Sequence, residues 1–265
     1  MNSDTRVKDN WDERSDGYYD EEYGDGKTLA DIKKNPERGF PIEFWPTVKR
    51  FMPSLQGKKV CVPSSGDNVA AFALHLLGAE VTSVDISEKQ IANARKIAAA
   101  NDWDMRFHCA GSMDLSVLAD DAFDMVYTSN GVHVWISDLP RMYGHIRRIL
   151  KPGGYYLFFE THPMGRPFDD TTYDVKIKKP YEDVGSSGDV PTYGWRTMDF
   201  VNALIAAGLT VRDMQEFHSL REDMTAHNYL HVRAGAKVNW PGDTFDWQNN
   251  PWAALPQCLG MACRK

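Results

Sequence analysis

Cysteine is scarce and scattered: Cys61, Cys109, Cys258 and Cys263 are the only four in 265 residues, and no pair has C-x-x-C spacing. That argues against a zinc or redox site and leaves buried, reduced thiols as the expectation. Long apolar runs are missing as well. None approaches the roughly 18 residues of a membrane span, and no basic stretch leads into an apolar one as in a secretory leader. The expected setting is therefore the cytoplasm, with no membrane partner. Positive charge is in deficit, since 30 Lys and Arg face 37 Asp and Glu for a net charge of −7. Such a balance offers no general attraction to a polyphosphate backbone, so no nucleic acid partner is expected. Internal repeats and low-complexity tracts are absent too.

What is present is enough apolar material, 42% of residues, for one sizeable core, and the length favours one elaborated domain. The acidity is local. Residues 1–26 hold nine Asp and Glu against Arg6, Lys8 and Arg14, so the main body is close to neutral. The expected organisation is an N-terminal helical lid or arm over 1–57 and a catalytic body over 58–265, with insertions at about 161–195 and 219–256. A homodimer is compatible with this organisation.

Between residues 58 and 160, short β-rich runs alternate with helical stretches, the signature of an α/β fold with a doubly wound, mostly parallel sheet. The predicted strands are 59–62, 80–84, 105–109, 123–128 and 155–160. A helix over 68–77 is apolar on nearly every face and stops at Gly78. A second opens on Ser87 and Gln90, which have the spacing of a capping box. A third starts at Ser137 or Asp138 with Pro140 in its first turn, and Pro152-Gly153-Gly154 follows its end. A later helix over 197–207 and strands over 209–217 and 257–264 complete the pattern. If the last strand pairs antiparallel beside 209–217, the sheet has seven strands.

Ligands in open α/β sheets bind beyond the carboxyl ends of the strands. After the first predicted strand comes Pro63-Ser64-Ser65-Gly66-Asp67-Asn68, a turn of small residues that delivers a helix N-terminus to a ligand. The second ends at Asp85, about 20 residues on, where a carboxylate can accept from both hydroxyls of a ribose. The plain alternative for Asp85 is a surface helix cap. Further motifs follow in order: 81–85 with Ser87, then Ala110-Gly111-Ser112-Met113-Asp114-Leu115, Phe123-Asp124-Met125-Val126 and Leu150-Lys151-Pro152-Gly153-Gly154. Together they resemble the class I S-adenosylmethionine-dependent methyltransferases over residues 58–160.

That resemblance implies a Rossmann-like methyltransferase fold with an antiparallel last strand, and S-adenosyl-L-methionine as cofactor. By the same resemblance Pro63, Ser64 and Gly66 form the cofactor turn, with Ser64 and Gly66 facing the methionine part. Asp85 is assigned to the ribose, Ile86 to the adenine face, Ser112 and Met113 to the adenine edge, and Asn130 to the border of the reactive methyl. Trp11, Tyr18, Tyr19 and Tyr23 resemble the N-terminal lid of small-molecule members, the alternative being a solvated terminus. Two departures stand out. The family turn usually reads Asp-x-Gly-x-Gly-x-Gly, where this chain has Val62, Ser64, Gly66 and Asn68, so one usual anchor of the amino-acid moiety is missing. Gly111 occupies the position of the acid near the adenine amine.

The implied activity is methyl transfer to a small-molecule acceptor at N, O, S or C, with release of S-adenosylhomocysteine. The Asn/Asp-Pro-Pro-aromatic motif of many base-amine methyltransferases is replaced by Asn130-Gly131-Val132-His133. The rival readings are a non-methyl reaction of the cofactor, tRNA modification, or a binding protein without turnover. If the acceptor must lose a proton, a His or acid at a strand's carboxyl end is the natural base. His162 is the first candidate, Glu160 the second and His133 the third. Each also has a structural reading: His162 bonding its own loop, Glu160 locking the loop, His133 filling the core beside Trp135. His133, Glu160, His162 and His227 lack ligand spacing, so no metal is expected. Tyr173, Tyr181, Tyr193, Trp195, Trp240 and Trp247 fall in the irregular regions, either as an aromatic wall for the acceptor or as the core of the long loops.

Overall fold

The path of the chain is set by seven strands: Lys59–Pro63 (β1), Glu80–Asp85 (β2), Arg106–Cys109 (β3), Phe123–Ser129 (β4), Leu150–Thr161 (β5), Thr210–Phe217 (β6) and Cys258–Arg264 (β7). They form one sheet in the order β3-β2-β1-β4-β5-β7-β6. The first five are mutually parallel, and β7 lies between β5 and β6, antiparallel to both. The computed structural model describes residues 3–169, 175–218, 242–243 and 245–265. Strands β1, β2 and β7 are buried along almost their whole length, as expected for strands covered on both faces. Helices Val69–Leu76 (α4) and Glu88–Ala100 (α5) follow β1 and β2, while Leu139–Ile149 (α6) and Thr197–Ala206 (α7) precede β5 and β6.

Three apolar clusters flank the sheet. Met142, Ile146 and Ile149 of α6 and Phe200 and Leu204 of α7 pack on Val126, Tyr156, Phe158 and Met261. On the opposite face, α4 packs with Phe44, Trp45 and Val48 on Val60, Met125, Leu157 and Phe159. Trp45 and Val48 belong to Trp45–Phe51 (α3), so the part of the N-terminal segment just ahead of β1 is built into the core. Gly39 makes this docking possible, because a Cβ there would stand 2.4 Å from the Cβ of Ala73 and 3.2 Å from the carbonyl of Val69. The third cluster joins Tyr19 and Tyr23 of Ser3–Tyr23 (α1) and Ile32 of Lys27–Lys34 (α2) to Phe72, Ala94 and Ala98.

Several expectations are corrected. The fifth strand begins at Leu150 rather than at 155, because Leu150 pairs with Phe123 as soon as α6 ends; the ladder resumes at Met125 and Tyr155. Residues 151–154 bulge between these pairs, with Gly153 at φ 83°. The capping box is half formed. The Ser87 hydroxyl accepts from the Gln90 amide at 3.1 Å, but the Gln90 side chain has no hydrogen bond among the described residues and the Ser87 hydroxyl donates to Asp12 at 2.7 Å. The Ser87 amide that Gln90 would have satisfied donates instead to Asp85 Oδ1 at 2.9 Å. Cys61, Cys258 and Cys263 are buried thiols, whereas Cys109 is exposed because it ends β3, the edge strand.

Candidate functional site

Strands β1, β2 and β4 deliver their carboxyl ends to a cavity of about 660 Å³ that α1 and residues 28–39 close from the N-terminal side. The turn after β1 is its floor. Ser64 (φ 51°), Gly66 (φ 52°) and Asn68 (φ 66°) all take the left-handed conformation, although only one is glycine. Side-chain hydrogen bonds hold the other two. The Asn68 amide donates to the Gly66 carbonyl at 2.9 Å and to the Tyr19 hydroxyl at 3.1 Å, while its Oδ1 is 2.5 Å from the Ser83 hydroxyl. Ser64 and Ser112 join hydroxyls at 2.6 Å, tying this turn to the loop after β3.

Asp85 is buried at the end of β2, where its Oδ2 accepts from the Gly66 amide at 3.0 Å and its Oδ1 from the Ser87 amide at 2.9 Å. Burial raises its pKa, and these backbone bonds oppose the rise. Each oxygen keeps a lone pair for a further donor. Asp67, next to Gly66, also lines the cavity. Burial, reinforced by the charges of Glu22 and Asp85, pushes its carboxyl up to about 7.

Of the residues assigned to the cofactor, Tyr18, Ser64, Gly66, Asp85, Ile86, Ser112, Met113 and Asn130 line the cavity. Tyr19, Tyr23 and Pro63 stand behind it. The Tyr19 hydroxyl lies 3.1 Å from the Gly66 carbonyl, and the Tyr23 hydroxyl donates to the Asp67 carbonyl at 2.6 Å, so both tyrosines bind α1 to the turn. Trp11 lines the cavity and meets Trp135 edge-on at 5.5 Å and Tyr18 at 5.8 Å, which brings α1 against the loop after β4.

The three candidate bases are placed otherwise: none lines the cavity. Glu160, 1% exposed, accepts at Oε1 from the amides of Gly131 (2.7 Å) and Thr161 (2.8 Å). Its Oε2 accepts from the His133 amide (3.0 Å) and lies 2.9 Å from His133 Nδ1. Burial alone would raise the Glu160 pKa, but the hydrogen bond and charge of His133 outweigh it and the net shift is downward. His133 is packed against Phe158 and Phe200. This buried pair supports the loop that forms the cavity wall. His162 accepts from the Met164 amide at 3.0 Å through Nδ1 and lies 2.9 Å from Glu216 through Nε2. It caps the short helical turn Pro163–Gly165.

The aromatics of the irregular regions do not form one wall around the cavity among the described residues. Tyr193 and Trp195 stack at 5.9 Å, and the Trp195 indole donates to the Ile136 carbonyl at 2.7 Å, so they brace the cavity loop from behind. Tyr181 and Trp247 are exposed and do not line the cavity. Tyr173, Trp240 and His227 lie outside the described residues. Sequence reasoning missed Asp4, Val7, Glu22, Arg38 and Arg141, all of which line the cavity. The turn sequence Asn35-Pro36-Glu37-Arg38-Gly39 marks a chain reversal, but nothing in it announces that Arg38 enters the cavity.

The donor set fits adenosylmethionine. A carboxylate with free lone pairs stands at Asp85, and Gly66 leaves open space, since a Cβ there would meet nothing within 4 Å. Asp67 in the turn, Glu22, and Asp31 with its Arg38 partner also line the cavity, supplying charges of both signs as an amino-acid zwitterion requires. Comparison with known proteins agrees. Residues 63–154 match the family model for a methyltransferase domain. An uncharacterised methyltransferase of Bacillus subtilis is 28% identical over 69% of each chain. A ubiquinone biosynthesis O-methyltransferase of Coxiella burnetii is 34% identical over 46% of this chain and 50% of its own. The crystal structure of an S-adenosylmethionine-dependent methyltransferase from Mesorhizobium loti superposes with a TM-score of 0.61 at 23% identity, covering 84% of this chain and 97% of that one. These matches support a class I S-adenosylmethionine-dependent methyltransferase, with the methyltransferase-domain match itself confined to residues 63–154.

Proposed function

We propose that this enzyme methylates a small-molecule acceptor held beneath α1. The observation that carries the reading is the closure of the cavity by Trp11 and Tyr18 against Trp135, which favours an acceptor small enough to be enclosed over a segment of a macromolecule. The net charge of −7 and the acidic residues along the cavity argue in the same direction, away from nucleic acid. The ubiquinone-pathway relative is named for an O-methyltransferase, which supports a small acceptor. Among the described residues no helix is long and apolar enough to cross a membrane, consistent with work in the cytoplasm.

The bound cofactor supplies an electrophilic methyl group on a sulfonium. In this reading Asp85 holds the ribose hydroxyls, Ile86 covers the adenine, Ser112 and Met113 border its edge, and Arg38 takes the carboxylate of the methionine arm. Asn130 and the aromatic group of Trp11, Tyr18 and Trp135 orient the acceptor and exclude water. Alignment of a nucleophile with the breaking S–C bond supplies much of the rate. His162 does not line the cavity, so in this reading the acceptor's proton, where it has one, leaves to solvent or to a cavity carboxylate rather than to His162.

Titration calorimetry with adenosylmethionine and adenosylhomocysteine tests the site, followed by an acceptor panel read by release of adenosylhomocysteine. Micromolar binding is expected. Asp85→Ala should weaken it by about 1.5–3 kcal/mol, the worth of charge-assisted hydrogen bonds. Absence of binding to either ligand overturns the reading.

A further inference from the structure

Val62 leaves the end of β1 without the carboxylate that the family turn usually carries, yet the cavity beside it is rich in acid. Asp67 is placed differently from the other acids. It sits within the turn, between Gly66 and Asn68, where the chain enters α4. One oxygen, Oδ1, accepts from the Val69 amide at 3.0 Å. The other has no hydrogen-bond partner among the described residues. No Lys, Arg or His pairs with Asp67 among the described residues, whereas Asp31 has Arg38 at 3.5 Å. We propose that Asp67 binds the ammonium group of the cofactor's methionine arm and so takes over the task of the acid missing at Val62. The assignment rests on adenosylmethionine being the ligand of this cavity.

Three observations carry it. First, place: Asp67 follows directly on the Gly66 backbone over which the methionine arm must pass, and both residues line the cavity. The Arg38 guanidinium lines the same cavity, and a carboxylate and a guanidinium match the two charges of an α-amino acid. Second, charge: the groups facing Asp67 are Glu22, Tyr18, Tyr19 and Tyr23 from α1 and Asp85 from β2, none of them cationic. An anion in such company is costly until a cation arrives. The carboxyl is accordingly pushed up to about 7, chiefly by burial. Third, rigidity: the Tyr23 hydroxyl holds the Asp67 carbonyl at 2.6 Å and the Val69 amide holds Oδ1, so Oδ2 is presented in a fixed direction.

Calorimetry on wild type, Asp67→Asn, Asp31→Asn and Glu22→Gln tests the proposal with two probes. Adenosylhomocysteine carries the ammonium and carboxylate; 5′-methylthioadenosine has the same nucleoside and sulfur but neither charge. Asparagine keeps an oxygen for the Val69 amide, so Asp67→Asn should melt no lower than wild type. The expected result is a loss of about 10- to 100-fold in adenosylhomocysteine affinity for Asp67→Asn, with methylthioadenosine binding changed less than twofold. Equal loss for both probes, loss for neither, or selective loss in Asp31→Asn or Glu22→Gln but not in Asp67→Asn overturns the assignment. Wild type that binds neither probe overturns the cofactor reading itself.

Discussion

Replacing Glu160 by glutamine removes one charge and changes almost no volume, so it isolates what the buried carboxylate does. Four donors converge on it: Gly131 and Thr161 amides at one oxygen, the His133 amide and Nδ1 at the other. A glutamine has a single acceptor oxygen, and in either orientation its NH₂ group faces two donors. Bonds to a charged acceptor are worth about 1.5–3 kcal/mol each, and breaking a buried pair costs about 3–5 kcal/mol. A loss of about 3–5 kcal/mol is therefore expected, against a total that for a domain of this kind is about 5–15 kcal/mol. Urea unfolding followed by circular dichroism measures it as a lower midpoint at unchanged slope. The pH dependence has a definite sign. The folded-state pKa of Glu160 is lowered from 4.5, so its contribution is present above that pH and is lost as the pH falls through the lower folded value. The gap between wild type and variant should thus close in acid. A deficit below about 1 kcal/mol at neutral pH would refute the idea that this carboxylate holds the loop.

Two further substitutions test the placement of side chains. His162→Ala should leave adenosylhomocysteine affinity within twofold while lowering the melting temperature, because His162 bonds Met164 and Glu216 outside the cavity; a tenfold loss of affinity would contradict this. Gly260→Ala should cost about 1–3 kcal/mol in urea unfolding, since its Cβ would lie 2.6 Å from the Phe44 ring, and a neutral result would mean that α3 and its approach yield easily.

The sheet was legible in the sequence because parallel strands covered on both faces leave short apolar runs between helical periods. Boundaries failed where pairing, not composition, decides them. Leu150 is strand only because Phe123 lies beside it, and nothing in Leu-Lys-Pro-Gly-Gly itself announces that pairing. At the site, the residues bound to backbone geometry were readable: Ser64, Gly66, Asp85 and Ile86 follow from where β1 and β2 end. Side-chain direction was not. Glu160 and His162 sit at the carboxyl end of β5, as a base should, but the rotation of that strand turns Glu160 toward the amides of 131 and 133 and His162 toward β6. Arg38 was out of reach for another reason. It enters the cavity through the close packing of Gly39 on α4, a tertiary contact distant in sequence from every motif.

The departures of the cofactor turn from its usual glycines carry a consequence of their own. A non-glycine residue in the left-handed region costs on the order of 1 kcal/mol and persists only where its surroundings enforce it. Five such residues occur among those described, and Ser64, Asn68 and Asn130 of these lie at the ends of β1 and β4 around the cavity. Glycine would adopt these angles freely but would leave the unfolded turn with more freedom to lose. Serine and asparagine instead spend their side chains on fixing the turn: Ser64 on Ser112, Asn68 on Gly66, Ser83 and Tyr19. Tyr19 is also a link to α1, which is tied to the body by polar contacts as well, from Asp12 to the Ser87 hydroxyl and the Lys89 amide and from Ser15 and Asp16 to Asn93. Order in the turn is thereby coupled to the docking of α1. A ligand that binds better while α1 is docked stabilises that docking, and by reciprocity undocking α1 weakens the ligand by the same coupling free energy.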